Sequence, residues 1–119
     1  MQAAENASDA ALAFQLAASL DLYLAQLDEL EAGEPEQSSA HLTALTDTVR
    51  SIRLRCASFP NLYSLFVELL IGHSELVAAA AQTFNFTCSK RRRSALVAPQ
   101  RQRAEYLLRM GIGPMKTGI

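Results

Sequence analysis

Leucine recurs at helical spacing along most of the chain, and this periodicity limits the possible folds more than any other feature. In the first segment the apolar positions are spaced 4, 3, 4 and 3 residues apart: Leu16, Leu20, Tyr23, Leu27 and Leu30. Side chains three and four residues apart lie on the same face of an α-helix. The pattern therefore predicts a long helix over 8–31, with Ser8 as its N-terminal cap.

The stretch AGEPEQSS interrupts this pattern. Gly33 is typical of a helix end, and Pro35 prevents the helix from continuing. A second helix is predicted over 39–57, capped by Ser38 or Ser39, because apolar residues again follow the helical spacing. Its stripe consists of Leu42, Leu45, Val49, Ile52 and Cys56. The connection is short, so the two helices are expected to run antiparallel.

A third helix is predicted over 62–83, after a break at Pro60 and with Asn61 as its cap. It is apolar on most sides, and a helix of this kind needs neighbours on most sides. Two partner helices cover only part of its surface, so its residues are candidates for a helix–helix or subunit seam. The candidate seam residues are Leu65, Phe66, Leu69, Leu70, His73 and Leu76.

The C-terminal part of the chain is basic, whereas the rest is acidic. Residues 1–87 contain three basic and eleven acidic side chains, a formal charge of −8, while residues 88–119 contain eight basic and one acidic, a formal charge of +7. We expect an antiparallel bundle of three long helices over the first part and a basic arm over the second, together one domain. A short fourth helix is predicted over 99–110, since Pro99 suits a first helical position and Gly111 a position just past the end. The remainder is expected to be a flexible tail.

The basic arm supplies the candidate contacts to a partner or an anion: Lys90, Arg91, Arg92, Arg93, Arg101, Arg103 and Arg109. Two interpretations fit the charge split. The arm can dock on the acidic body of its own chain or of a neighbouring subunit, since the two charges nearly balance. Alternatively, the chain is a nucleic-acid-binding regulator that uses the arm against phosphates, although no helix-turn-helix or zinc-finger pattern accompanies it.

No pattern in the sequence indicates a reaction. The stretch GHS, residues 72–74, resembles the start of a G-x-S-x-G nucleophile elbow, but Leu76 stands where the last glycine belongs and the context is helical. The two histidines and two cysteines match no zinc-site spacing. No P-loop, dinucleotide-binding or calcium-loop pattern is present. We therefore expect no enzyme, no metal, no cofactor and no small-molecule substrate.

His73 lies on the apolar face of the third helix. A lone polar residue on such a seam can set helix register or partner choice, or it is a core histidine hydrogen-bonded to a carbonyl or a carboxylate. The core interpretation is favoured over a ligand role, because no second metal ligand is evident. Gly72 beside it indicates either the close approach of another helix or a kink.

The sequence also bears on location. The N-terminus MQAAENASDA lacks the basic region of a secretory signal, and no uncharged run approaches the length of about 18 apolar residues that spans a membrane. Two cysteines do not make a disulfide framework. We expect a cytoplasmic, bacterial, all-α protein that acts as a non-enzymatic interaction module, without a membrane span, and forms a homo-oligomer or binds a protein partner.

Overall fold

The computed structural model describes residues 2–82 and 90–117, which are helical apart from short turns and contain no strand. Four long helices pack against each other: α1 (Gln2–Ala32), α2 (Ser38–Cys56), α3 (Tyr63–Gln82) and α4 (Lys90–Thr117). Two 3-10 turns, Pro35–Gln37 and Pro60–Leu62, join the first three helices. The predicted all-α class is confirmed, whereas the fourth helix is much longer than predicted.

Neighbouring helices run in opposite directions around the bundle. α1 packs against α2 and α4, and α3 packs against α4 and α2. Arg93 near the start of α4 contacts Gly33 just past the end of α1, while Gly111 near the end of α4 lies beside Leu16. Contacts between side chains show the same antiparallel direction for α1 and α2, for α2 and α3, and for α3 and α4. The result is an elongated body of 54 × 21 × 21 Å.

The predicted leucine stripes of the first helices form the core. In α1 the whole stripe is buried: Leu16, Leu20, Tyr23, Leu27 and Leu30. In α2 the buried members are Leu45, Val49, Ile52 and Cys56, with Leu42 packed against them. These side chains form one continuous cluster with residues of α3 and α4. Burial of large apolar side chains contributes about 1.5–3 kcal/mol each, so these stripes are the main source of stability.

The starts of the helices differ from the predicted caps. α1 begins at Gln2, ahead of Ser8, in an alanine-rich stretch that favours helix. α2 begins at Ser38, and its cap position is Gln37, which makes no side-chain capping hydrogen bond. Asn61 lies inside the 3-10 turn that precedes α3, not at the residue next to the helix. Each of the two 3-10 turns is closed by a backbone hydrogen bond and leads directly into the helix that follows it. The turn therefore takes the place of a side-chain cap at the start of that helix.

α4 contradicts the prediction of a short helix on an arm. It is 28 residues long and passes through Pro99 and Gly111, the predicted ends, to Thr117, where the sequence predicts a flexible tail. Its buried positions are spaced 4, 3, 4 and 3 residues apart: Arg93, Val97, Gln100, Ala104 and Leu107. Burial of this face compensates for the hydrogen bond that Pro99 cannot donate, a loss of about 3 kcal/mol in a helix interior. The predicted boundary between residues 87 and 88 lies outside the described residues.

Candidate functional site

A chain of hydrogen bonds inside the bundle joins all four helices. His73 of α3 lies at its middle: Nδ1 is 3.0 Å from the hydroxyl of Tyr23 in α1, and Nε2 is 2.9 Å from the hydroxyl of Thr46 in α2. The side-chain amide of Gln100 in α4 donates to the Tyr23 hydroxyl at 2.9 Å and to the Leu69 carbonyl of α3 at 2.8 Å. Tyr23, Thr46, His73 and Gln100 together are called the polar network below.

The hydrogen bonds determine the tautomer of His73. The Thr46 hydroxyl donates its proton to the carbonyl of Leu42 at 2.9 Å, so it accepts from the Nε2–H of His73. The Tyr23 hydroxyl accepts from Gln100 and therefore donates to Nδ1. Both ring nitrogens are satisfied in the neutral imidazole, and burial lowers the pKa of His73. Burial also raises the pKa of the Tyr23 hydroxyl, so both rings are uncharged at neutral pH.

Gln100 and Arg103 of α4 reach α3 at Gly72. A Cβ atom on Gly72 would overlap Oε1 of Gln100 and Nη1 of Arg103, so only glycine leaves room for both side chains. Arg103 donates to Oε1 of Gln100 at 3.2 Å, which completes the bonding of that amide. What approaches Gly72 is therefore the side-chain ends of Gln100 and Arg103 of α4, not the backbone of that helix.

The chemistry open to these side chains is limited by burial. The rings of the polar network lie in the core, and their hydrogen-bonding atoms are occupied by one another. Ser74 is exposed while His73 is buried, so these neighbours do not converge. Burial raises the pKa of the Cys56 thiol to about 11, which makes it a poor nucleophile. In the part of the chain that the structure describes, no group of three His, Cys, Asp or Glu side chains could hold a metal ion; Cys88 lies outside that part.

The cations predicted to contact a partner or an anion fall into two groups in α4. Three are buried or half-buried and contact the bundle: Arg93, Arg101 and Arg103. Four are exposed: Lys90, Arg91, Arg92 and Arg109. The Arg93 guanidinium donates to the backbone carbonyls of Leu30 and Gly33, where the C-terminal dipole of α1 favours a cation.

Arg101 connects α4 to the acidic surface of α1. Its Nη2 atom lies 2.6 Å from Oδ1 of Asp28 and 2.7 Å from Oε1 of Glu31. Hydrogen bonds from Ser94 and then from Arg101 lower the pKa of Glu31, and the hydrogen bond to Glu31 raises the pKa of Arg101. The Arg101 side chain is only 27% exposed, so solvent screens these pairs incompletely.

One face of α3 is apolar and exposed. Its residues recur at helical spacing and form what is called the α3 outer face: Tyr63, Val67, Leu70, Ile71, Ser74, Val77, Ala78 and Ala81. Tyr63 is 58% exposed and Ile71 is 54% exposed, so the face is open to solvent. It adjoins a groove of about 580 Å³ between α2 and α3, which is lined by Leu42 and Val77 among others.

The predicted seam residues divide between the core and this surface. Phe66, Leu69, His73 and Leu76 are buried, and Leu65 is half-buried. Leu70 is exposed and belongs to the α3 outer face. The first group packs against other helices of the same chain, whereas Leu70 is open to solvent.

Among the residues that the structure describes, two segments are long and apolar enough to cross a membrane by length and composition, Asp9–Ala32 and Pro60–Ala81. Core helices of a bundle satisfy the same criterion, and both segments place a leucine stripe in the core. The expectation that the chain has no membrane span stays a prediction.

Over residues 2–82 and 90–117 these observations define an all-α bundle of four helices with a buried polar network and an exposed apolar face on α3. Comparisons of the chain with protein-family models, with curated proteins and with solved structures find no match. The functional conclusion therefore depends on the residues of this chain.

Sequence reasoning identified His73 but missed its partners Tyr23, Thr46 and Gln100. Tyr23 belongs to an apolar stripe and was assigned to the core as a hydrophobic side chain. For Gln100 a signal exists, because it stands three and four residues from Val97 and Ala104 on the buried face of α4.

Proposed function

We propose that this protein is a non-enzymatic helical interaction module that self-associates through the α3 outer face. The observation that carries the proposal is the run of exposed apolar side chains on α3, of which Tyr63 and Ile71 are the most exposed. From Tyr63 to Ala81 the face extends about 27 Å along the helix. Contiguous apolar surface bordered by polar residues is typical of interaction sites on proteins.

In this proposal α4 docks on the acidic body of its own chain and closes the bundle. Arg101 pairs with Asp28 and Glu31 on α1, and Arg93 contacts the C-terminal end of the same helix. Leu107 of α4 is fully buried against the core. These contacts support an internal role for Arg93 and Arg101 of the basic segment.

The proposal assigns no reaction to the chain. The side chains of the polar network satisfy one another, and Thr46 at its edge is half-buried and lines the groove between α2 and α3. A fully bonded buried network of this kind favours a single arrangement of the helices. In the proposed module it holds the α3 outer face in a constant shape.

Sedimentation equilibrium tests the proposal. The monomer mass is 13.0 kDa, and a mass near twice that value is expected at high micromolar concentration. Ile71→Glu places a charge on the α3 outer face and is expected to give a monomer. Leu22→Glu is the matched control, because Leu22 is 51% exposed on α1, and this variant is expected to remain a dimer. A wild-type protein that stays monomeric over the whole range would rule the proposal out.

A second candidate, a nucleic-acid-binding regulator, is favoured by one observation. Lys90, Arg91 and Arg92 are consecutive exposed cations at the start of α4, where the helix dipole also favours phosphate. This candidate predicts retention on DNA or RNA that weakens steeply with salt, because binding releases counterions. Replacing Lys90 and Arg91 by serine is expected to abolish retention, while Arg53→Ser on α2 is expected to preserve it. A wild-type protein that is not retained at low salt eliminates this candidate.

A further inference from the structure

Two charged rims of opposite sign border the α3 outer face. Arg50 and Arg53 of α2 are exposed on one side. Arg50 lines the groove between α2 and α3 together with the exposed Asp47, so this rim carries a net positive charge of one. Glu68 and Glu75 of α3 are exposed on the other side. Glu68 shares the groove between α3 and α4 with the half-buried Arg103, so this rim carries a net negative charge of one. The apolar face therefore lies between a basic rim and an acidic rim.

The contact between Thr46 and His73 sets the relative height of the two rims. Because α2 and α3 run antiparallel and both rise about 1.5 Å per residue, Arg50, four residues after Thr46, lies level with Leu69. Leu69 is the chain neighbour of Glu68. Arg50 and Glu68 thus lie at nearly the same height on opposite sides of the outer face.

Symmetry decides which rims meet when two copies bring their outer faces together. If the two α3 helices run antiparallel, the two-fold axis is perpendicular to both, and each rim meets the same rim of the other copy. If they run parallel, the axis lies along the bundle, and the basic rim of each copy meets the acidic rim of the other at the same height. The antiparallel arrangement brings like charges together, which disfavours association, whereas the parallel arrangement brings opposite charges together.

We propose that a second copy of this chain occupies the α3 outer face in the parallel arrangement, with Arg50 of each copy against Glu68 of the other. This inference rests on the proposed function and adds the orientation of the two copies and the residues that select it. Within one chain Arg50 lies 3.5 Å from Asp47, but the two side chains are 77% and 67% exposed. That pair contributes little, so Arg50 is available to a carboxylate of the second copy.

Charge reversal tests the orientation. In Arg50→Glu both pairs across the dimer become acid against acid, and in Glu68→Arg both become base against base. Each variant alone is expected to dimerise about tenfold more weakly than wild type, measured by sedimentation velocity at low salt. The double variant Arg50→Glu/Glu68→Arg restores opposite charges and is expected to regain the wild-type dissociation constant. An equimolar mixture of the two single variants is expected to form heterodimers, in which both pairs are again complementary.

The possible outcomes distinguish a dimer with the wrong orientation from a protein that does not self-associate. Single variants that dimerise as tightly as wild type would overturn the parallel arrangement, because an antiparallel dimer only exchanges one like-charged pair for another. Self-association would then stand. A monomeric wild type would remove the proposed function as well. The double variant carries both substitutions, so its recovery shows that neither one damages the fold, and circular dichroism of each variant checks this directly.

Discussion

Gln100 approaches α3 so closely at Gly72 that a methyl group on Gly72 would overlap its amide oxygen. The amide nitrogen continues to the Leu69 carbonyl at 2.8 Å and to the Tyr23 hydroxyl at 2.9 Å. The pair thereby couples the close approach of α3 and α4 to the polar network. Because an unpaired buried polar group costs its full desolvation energy, this coupling disfavours other packings of the two helices.

Gly72→Ala is expected to lower the free energy of unfolding by about 1–3 kcal/mol, although alanine by itself favours helix by about 1 kcal/mol. The added methyl group forces Gln100 and Arg103 away from α3. Urea denaturation followed by circular dichroism measures the loss. In a Gln100→Ala background the amide is absent, so a smaller loss is expected there. An equal loss in both backgrounds would show that the two residues are not coupled.

Stability is expected to decrease at mildly acidic pH because of His73. Burial lowers the pKa of this residue in the native state below its unfolded value of about 6.5. The unfolded chain then binds a proton more readily, so the contribution is complete above about pH 6.5 and is lost as the pH falls towards the native pKa. The free energy of unfolding is therefore expected to fall between about pH 7.5 and pH 5.5.

Two variants assign this effect to the buried imidazole. His73→Gln cannot titrate and is expected to flatten the dependence on pH over the same interval. His41→Gln removes the other histidine of the chain and is expected to retain the dependence. A wild-type free energy of unfolding that is equal at both pH values contradicts the neutral, buried state of His73.

The helical stripes of α1, α2 and α3 were predictable because each is an almost unbroken apolar series at helical spacing. α4 has the same spacing, but its buried face includes Arg93 and Gln100, which resemble surface residues in a hydrophobicity pattern. Their burial depends on distant partners, namely the carbonyl of Gly33 just past the end of α1 and the hydroxyl of Tyr23 in α1. Local periodicity carries no information on such partners, so nothing in the pattern outweighed Pro99 and Gly111 as the predicted ends of the helix.

The candidate site was predictable in part, because helical spacing of apolar residues also shows which polar residue interrupts a stripe. His73 could be singled out as a lone polar residue on an apolar stripe. Its bonding to Tyr23 and Thr46 depends on the register between three helices, which packing of the whole bundle determines. The sequence indicated that α3 has more apolar surface than two neighbouring helices can cover, but of the predicted seam residues only Leu70 lies on the α3 outer face.

Pro99→Ala is expected to stabilise the protein. Pro99 is exposed in the interior of α4, where proline lacks the N–H of a helical hydrogen bond and costs about 3 kcal/mol relative to alanine. Alanine also gives the unfolded chain more conformational freedom than proline does, and this offsets about 1 kcal/mol of that gain. A net gain of about 1–2 kcal/mol is expected in urea denaturation, against a change within about 0.5 kcal/mol for the exposed control Gln102→Ala. A loss of stability would instead mean that proline geometry is needed to position Gln100.

Arg101→Ala is expected to lower the free energy of unfolding by about 1 kcal/mol, because it removes charged hydrogen bonds from a half-buried side chain to the exposed Asp28 and the half-buried Glu31. Arg91→Ala is the matched control, since Arg91 is exposed at the start of α4, and its effect is expected to stay within about 0.5 kcal/mol. In high salt the difference in the free energy of unfolding between Arg101→Ala and wild type is expected to become smaller, because salt screens the ion pairs. Similar losses for the two arginine variants would contradict a specific role for Arg101.

Glu31 provides an independent test of the same pair. Hydrogen bonds from Ser94 and from Arg101 lower its pKa below the ordinary 4.5, so the stability it contributes is complete above that value and is lost as the pH falls through the lowered pKa. The difference in the free energy of unfolding between wild type and Arg101→Ala is therefore expected to become smaller below about pH 4.5. Because Ser94 still lowers the pKa in the variant, part of the acid dependence is expected to remain. A difference that stays constant down to about pH 3 would mean that Arg101 stabilises the bundle by packing and not by charge.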